Sequence, residues 1–356
     1  MTDALTDRAA RYVAIPSISG NERALADEIE QTLRAAPHLE VTRIADNVVA
    51  RTSGSRARRV VVAGHLDTVP GDAGAVSVRD GTVVGLGACD MKGSLAVMVE
   101  LAIAPDTAAS EVTWVFYANE EVPRDRSGLL EVANVAPELL RGDVALLCEP
   151  TSCGVQAGCQ GSLRVRLELR GERAHTARPW RGRNAIHRLA GPIATAASYS
   201  PREVVLDGVT YTEQLQAVEV TGGISGNVVP DVATLTLNQR IAPDRTVAAA
   251  LKVLRDTFSS FLEDGDGFEV IDAAEPAAPN LSHPFMARLC ELSGVAPSAK
   301  LGYTDVSMFA AMGIPATNFG AGDPELAHHA GEFVPTAELA RCFEVLGSLL
   351  AEPISL

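Results

Sequence analysis

Residues 59–67 read RVVVAGHLD. Arg59–Ala63 is a short apolar, β-branched run that stops at Gly64, the signature of a strand buried on both faces. His65 and Asp67 follow directly. Two residues apart on extended chain, they point to the same side. A metal-bound imidazole needs an acceptor on its other nitrogen to fix its tautomer, and Asp67 could supply one. The alternative is a turn that carries a polar pair.

The same arrangement recurs on either side of this stretch. Val112–Ala118 (VTWVFYA) is a second apolar strand, followed by Asn119, Glu120 and Glu121. Val144–Cys148 (VALLC) is a third, followed by Glu149. The pattern predicts helices over 22–35, after Ser19-Gly20-Asn21 as a start signal, and over Ser94–Ala104. Strands alternating with helices give an α/β fold with a mostly parallel sheet covered on both faces.

From Leu163 the text changes. LRVRLELR alternates Leu163, Val165, Leu167 and Leu169 with Arg164, Arg166, Glu168 and Arg170, so one face of this strand is wet. A helix near Asn184–Ala197, strands near Leu215–Thr221 and Val232–Arg240, a helix over Thr246–Leu262 and a strand at Phe268–Ile271 complete a β-α-β-β-α-β order, the split βαβ (ferredoxin-like) α+β unit. After the Ala/Pro stretch DAAEPAAP (272–279), helix His283–Leu292, strand Pro315–Phe319 and helix Thr336–Leu350 resume the first pattern. The expected division is 1–162 with 274–356 as one discontinuous domain, and 163–273 as an insertion.

Composition narrows the function. The chain has 356 residues, 30 basic and 45 acidic, for a net charge of −15, and only 4% are aromatic. A nucleic-acid binder needs a basic footprint, and this chain has the reverse. No apolar run approaches the roughly 20 residues of a membrane helix, and the first residues, MTDALTDRAARYVAIP, lack the pattern of a secretory leader. Six cysteines with no C-x-x-C pair fit buried thiols in a reducing, cytoplasmic setting.

Two more segments carry chemistry. GLGACDMKGS (85–94) places Asp90 in a glycine-punctuated loop entering a helix, where a helix cap is the plain alternative. ELAHHAGEF (325–333) puts His328 and His329 on a loop after a strand, and two surface histidines would look the same. Adjacent carboxylates at the end of a buried strand repel and resist ionising unless a cation compensates. The alternative for Glu120 and Glu121 is an exposed loop. In open α/β sheets the binding crevice lies beyond the carboxyl ends of the strands. His65, Glu120/Glu121 and Glu149 stand at three such ends, with Asp90 and His328 on loops able to reach them. Imidazoles and carboxylates without thiolates suit zinc, manganese or cobalt. Two histidines and three carboxylates suffice for two divalent ions that share one carboxylate.

The ordered set G-H-x-D-x-V-P (64–70), G-x-G-x-x-D-M-K-G (85–93), Glu120-Glu121, Glu149-Pro150-Thr151 and H-x-x-x-E (328–332) resembles the dinuclear-zinc amidohydrolases, a family that includes succinyl-diaminopimelate desuccinylases, acetylornithine deacetylases, aminoacylases and glutamate carboxypeptidases. The resemblance covers nearly the whole chain. It implies His65 and Glu149 on one metal, Glu121 and His328 on the other, and Asp90 bridging. It implies Glu120 as the general base that takes a proton from the attacking water and passes it to the leaving amine, and Asp67 as the partner of His65. His328 is preferred to His329 because it keeps the four-residue spacing to Glu332.

The insertion resembles the family's dimerisation or lid domain. GERAHTARPWRGRNAIH (171–187) implies that His175 reaches a partner subunit's site and stabilises an oxyanion; the alternative is a surface histidine. Asn227 and Arg240 match positions that touch polar groups of the substrate, Arg240 also being readable as a strand-face ion pair. VQAGCQGS (155–162), residues 301–329 and LLCEPT (146–151) resemble the desuccinylase branch, which implies hydrolysis of N-succinyl-LL-2,6-diaminopimelate by a homodimer. Other deacylases of the family, and a non-catalytic binding protein on the same scaffold, are the alternatives. A small anionic acylated amino acid needs local positive charge, for which Arg178, Arg181, Arg183 and Arg240 are available, and Thr304 joins the expected substrate contacts. The chain departs from the branch at Cys159 and Gln160, at Val306–Met308 and at Gly331.

Overall fold

The computed structural model describes residues 2–71, 76–329 and 331–354. The chain divides into two compact units, one of Met1–Ala157, Pro279–Ser298 and Met308–Leu356, the other of Gly158–Ala278 and Ala299–Ser307.

The first unit is built on an eight-stranded sheet in the order Leu39–Ile44, Asn47–Thr52, Glu111–Tyr117, Arg59–His65, Val144–Leu147, Ala316–Asn318, Gln156–Ala157 and Ser298–Ala299. Glu111–Tyr117, Arg59–His65, Val144–Leu147 and Ala316–Asn318 are mutually parallel, so their carboxyl ends share one rim. Antiparallel strands flank them on both sides. The valine-rich text explains the centre. Val48, Ala50, Val60, Val62, Trp114, Phe116 and Leu146 pack on one face with residues of helices Thr2–Val13, Arg23–Arg34, Gly93–Ile103, Pro284–Ser293 and Thr336–Leu350. Val49, Val61, Ala63 and Val115, which alternate with them, are buried as well. Burying each of the valines, Leu146 and Phe116 contributes about 1.5–3 kcal/mol.

In the second unit, strands Leu215–Gly222, Val232–Ile241, Gly161–Arg170 and Gly267–Ala274 lie in that order, all antiparallel. Leu163, Val165, Leu167, Leu169, Leu235 and Leu237 form its core with Ala250, Leu254 and Phe258 of helix Val247–Phe258. This is the split βαβ order expected from the alternating text.

Several boundaries differ from expectation, each for a physical reason. The strand expected to stop at Gly64 includes His65. The helix expected over Asn184–Ala197 is two, Ala185–Arg188 and Ala190–Ala197, with Asn184 capping the first through Ile186 and His187 N–H. Pro192 lies in the first turn of the second, where its missing N–H costs nothing. Thr246 caps the next helix, which ends at Phe258 and tightens into a 3₁₀ turn, Ser259–Phe261. Hairpins Leu39–Thr52 and Arg202–Glu213 were not anticipated. The second turns on Asp207 and Gly208, both at positive φ, the chemistry of a two-residue hairpin turn. No described helix is long and apolar enough to cross a membrane.

Candidate metal centre

His65 ends its strand and is 1% exposed. Glycine precedes it because a Cβ at Gly64 would stand 2.5 Å from Met91 Cε and 3.0 Å from Leu95 Cδ2. That close approach brings the Asp90 loop against the strand. His65 Nδ1 lies 3.0 Å from the main-chain oxygen of Asp67 and 3.5 Å from its Oδ1, and Nε2 lies 2.9 Å from Asp90 Oδ1. Burial opposes charge on the imidazole, but Asp67 and Asp90 outweigh it and raise His65 well above the usual histidine range.

The carboxylate of Asp67 does more than expected of it. It accepts the successive N–H groups of Glu120 (2.9 Å) and Glu121 (3.0 Å) and the Ser19 hydroxyl (2.7 Å). Burial pushes Asp67 up, yet His65 and these N–H donors hold it below the ordinary carboxylate range. Asn119, at φ 60°, turns the chain out of strand Glu111–Tyr117, so Glu120 and Glu121 occupy a bend rather than extended chain. Glu22 Oε1 supports the bend by accepting Asn119 N–H at 3.1 Å and Gly20 N–H at 2.9 Å.

Asp90 does not cap a helix. The helix that follows starts at Gly93 without a side-chain cap, and Asp90 itself has non-helical backbone angles. Its loop turns through Gly87 at φ 79°, which favours glycine. Glu332, 2% exposed, fastens the loop by accepting N–H groups from Gly87 (2.9 Å), Cys89 (2.8 Å) and Asp90 (2.7 Å).

Asp90 thus lies between two imidazoles. Oδ1 faces His65, and Oδ2 is 3.6 Å from His328 Nε2, which is 2.7 Å from Glu121 Oε1. Burial, reinforced by Asp90, raises Glu121 above its usual range, against the pull of His65 and His328. Glu149 is buried just beyond strand Val144–Leu147, at the same rim. Donor atoms of His65, Asp90 and Glu121 all lie within 4.8 Å of one another. One imidazole nitrogen and two carboxylate oxygens at that spacing, with His328 against two of the same acids, fit a divalent cation of the zinc type.

The other expected residues lie in the second unit. His175 bridges to Val228, Asn227 O accepts Thr176 N–H at 3.1 Å, and His175 O accepts Arg178 N–H at 2.7 Å, so these three share one loop cluster. His175 is exposed, and its Nδ1 accepts Ala177 N–H at 3.0 Å. A neutral ring therefore carries its proton on Nε2. Thr304 O accepts the Cys159 thiol at 3.5 Å. Arg183, another expected source of positive charge, has its guanidinium paired with Glu263 on the surface, including a 2.6 Å bond. Sequence reading missed Ser19 and Glu22, and used Glu332 only as a spacing marker.

The model of peptidase family M20/M25/M40 matches residues 61–352. The chain belongs to this family. A Mycobacterium tuberculosis relative that carries the provisional name succinyl-diaminopimelate desuccinylase DapE is 46% identical over 95% of each chain. The succinyl-diaminopimelate desuccinylase of Corynebacterium glutamicum is 42% identical over 96% of this chain and 95% of its own. A Staphylococcus aureus tripeptidase shares the M20 fold, with a TM-score of 0.80 at 21% identity over 99% of this chain and 98% of its own.

Proposed function

We propose that the chain is a metal-dependent amide hydrolase that converts N-succinyl-LL-2,6-diaminopimelate and water to succinate and LL-2,6-diaminopimelate. The observation that carries this reading is the placement of Asp90 between His65 and His328, beside Glu121. The two desuccinylase relatives, similar over nearly their full lengths, support the substrate.

In this reading His65 and Glu149 would hold one ion, Glu121 and His328 a second, and Asp90 would serve both; zinc is the first choice, cobalt or manganese the alternatives. When bound, such ions polarise an amide carbonyl and lower the pKa of water. The chain supplies the rest. Glu120, on the bend tied to Asp67, takes the proton from the attacking water and delivers it to the departing nitrogen. Asp67 is a positioning residue, holding Glu120 and Glu121 by their N–H groups while its main-chain oxygen orients His65. His175 of the partner subunit presents Nε2–H to the developing oxyanion. Arg178, Asn227, Arg240 and Thr304 bind polar groups of the substrate. A homodimer through the second unit is supported by its edge strand Leu215–Gly222, where Val218 and Val220 are 54% and 52% exposed. Six free cysteines suit the cytoplasm.

The test is a side-by-side assay of purified, zinc-loaded protein on succinyl-diaminopimelate and acetylornithine, with metal content measured in parallel. Preferential turnover of the first with about two ions per chain is expected. Preference for the second would move the substrate to the deacetylases, and no bound metal would sink the reading.

A further inference from the structure

Arg59 opens the strand that His65 closes, so it stands roughly 20 Å from the candidate metal centre. Val48, Ala50, Val60 and Val62 face the helices on one side of the sheet, which turns Arg51 and Arg59 to the other side. In the register Arg51 stands beside Thr113, and Thr113 beside Val61. Arg59 reaches back across this row. Its guanidinium donates to Thr113 Oγ1 at 3.1 Å, to Thr52 O at 3.1 Å and to Val112 O at 3.2 Å. The segment after the 3₁₀ turn Pro137–Leu140 comes down on the same face. A Cβ on Gly142 would stand 2.7 Å from Val61 Cγ2 and 3.2 Å from Arg59 O. Beside this contact lies an open cleft of 440 Å³, lined by Arg51, Arg59, Glu138, Arg141, Gly142 and Asp143.

Three guanidiniums thus meet in one cleft of a chain whose net charge is −15. Among the described residues, no carboxylate forms an ion pair with any of the three. The nearby acids are engaged or turned to solvent. Asp143 Oδ1 accepts from Arg58 Nη1 and Oδ2 from Arg59 N–H, each at 2.8 Å. Glu111 accepts from the Thr52 hydroxyl and from Arg56 N–H. Glu138 and Glu40 are exposed, the latter opposite Arg51 in its hairpin. Burial first and Arg51 second press Arg59 below the usual arginine range, and Glu111 and Glu40 offset them only in part. Arg51 Nε is buried, and no protein group accepts from it. Crowded like charges with an unmatched donor are relieved by an anion. A single guanidinium fork satisfies the two coplanar oxygens of a carboxylate. A phosphate presents three acceptor oxygens out of one plane, which separate guanidiniums can share.

We propose that the cleft of Arg51, Arg59 and Arg141 binds a phosphate group, at a site remote from the metal centre. The phosphate is either free inorganic phosphate or part of a nucleotide, and the experiment separates the two. The site stands or falls on binding alone, whatever the outcome for the hydrolase reading.

Full-length wild type, Arg51→Gln and Arg141→Gln are titrated by calorimetry with inorganic phosphate, adenosine 5′-monophosphate and succinate. The same proteins are labelled with phenylglyoxal, with and without each anion, and the labelled arginines are located by peptide mass mapping. Labelling separates this cleft from the metal centre, which also attracts anions when loaded. Phosphate is expected to slow labelling of Arg141 in wild type. Each variant is expected to bind phosphate roughly 10–100-fold more weakly at this site, the loss of a charged hydrogen bond. Tighter binding of the nucleotide, with the same protection, would assign the phosphate to a nucleotide; no gain over phosphate would assign the free ion. Arg141 is exposed, so Arg141→Gln decides the matter even if Arg51→Gln fails to fold by circular dichroism. Equal phosphate binding by wild type and Arg141→Gln, or labelling of Arg141 indifferent to phosphate, overturns the proposal. Protection by succinate and not by phosphate overturns it as well, making the cleft a carboxylate site.

Discussion

The carboxylate of Asp67 accepts two successive N–H groups and a hydroxyl, and an amide side chain at that position has only one acceptor oxygen. Asp67→Asn should therefore let the Glu120–Glu121 bend drift, and kcat should fall about 10–100-fold, the scale seen when support behind a metal site is removed; steady-state kinetics on protein of matched metal content checks this. Glu120→Gln should lower turnover on the order of 10²–10⁴-fold with metal content near normal, whereas Glu121→Gln should lose metal. Equal metal loss in both would mean that base and ligand are exchanged. Tyr12 is buried, which pushes its phenol up to about 12 from an ordinary value near 10. The folded chain keeps a proton that the unfolded chain releases, so stability is intact below pH 10 and declines between 10 and 12, by about 2–3 kcal/mol. Tyr12→Phe should remove that part of the alkaline loss in denaturant titrations at pH 7 and pH 11. At this scale the sequence revealed residues whose partners are near in the chain, such as His65 with Asp67. Ser19 read as a helix start because its actual partner, Asp67, is 48 positions away.

Among the elements, the loop 85–92 depends on one distant acid. Glu332 closes three N–H groups with two oxygens, and Glu332→Gln would turn an amide N–H₂ toward at least one of those donors. Burying an unmatched donor costs about 1–3 kcal/mol, so thermal unfolding should come several degrees earlier and metal affinity should drop; calorimetry and a competitive chelator titration measure the two. Strands 59–65, 111–117 and 144–147 were legible because full burial writes continuous apolar text. The hairpin Leu39–Thr52 was not, because its outer strand Leu39–Ile44 has no fully buried residue and so no strong period. The break between Arg188 and Ala190 was masked by apolar text that continues across it.

For the molecule as a whole, the proposed cation binding and subunit pairing set the expected behaviour. A ligand bound only by the folded state at a thousandfold excess over its Kd stabilises by about 4 kcal/mol. Chelator treatment should lower the melting temperature on the order of 10 °C, and zinc should restore it. Lysines at Val218 and Val220 on the edge strand should give monomers by sedimentation with an unchanged circular dichroism spectrum. If His175 acts across subunits, kcat should fall as dimerisation is lost. The second unit was legible as a separate text, while the excursion of Ala299–Ser307 into it was not, since nine residues carry no compositional mark.

The first unit is written in separated pieces, and this orders events during synthesis. His65, Asp90, Glu121 and Glu149 leave the ribosome early, whereas His328 and the Glu332 fastener emerge only after the whole second unit has been made. At roughly 5–20 residues per second, the nascent chain spends about ten seconds or more with an unpinned acidic loop and four of the five proposed ligands. In the proposed set, the site of Glu121 and His328 is therefore the last to be completed, after the second unit has been made.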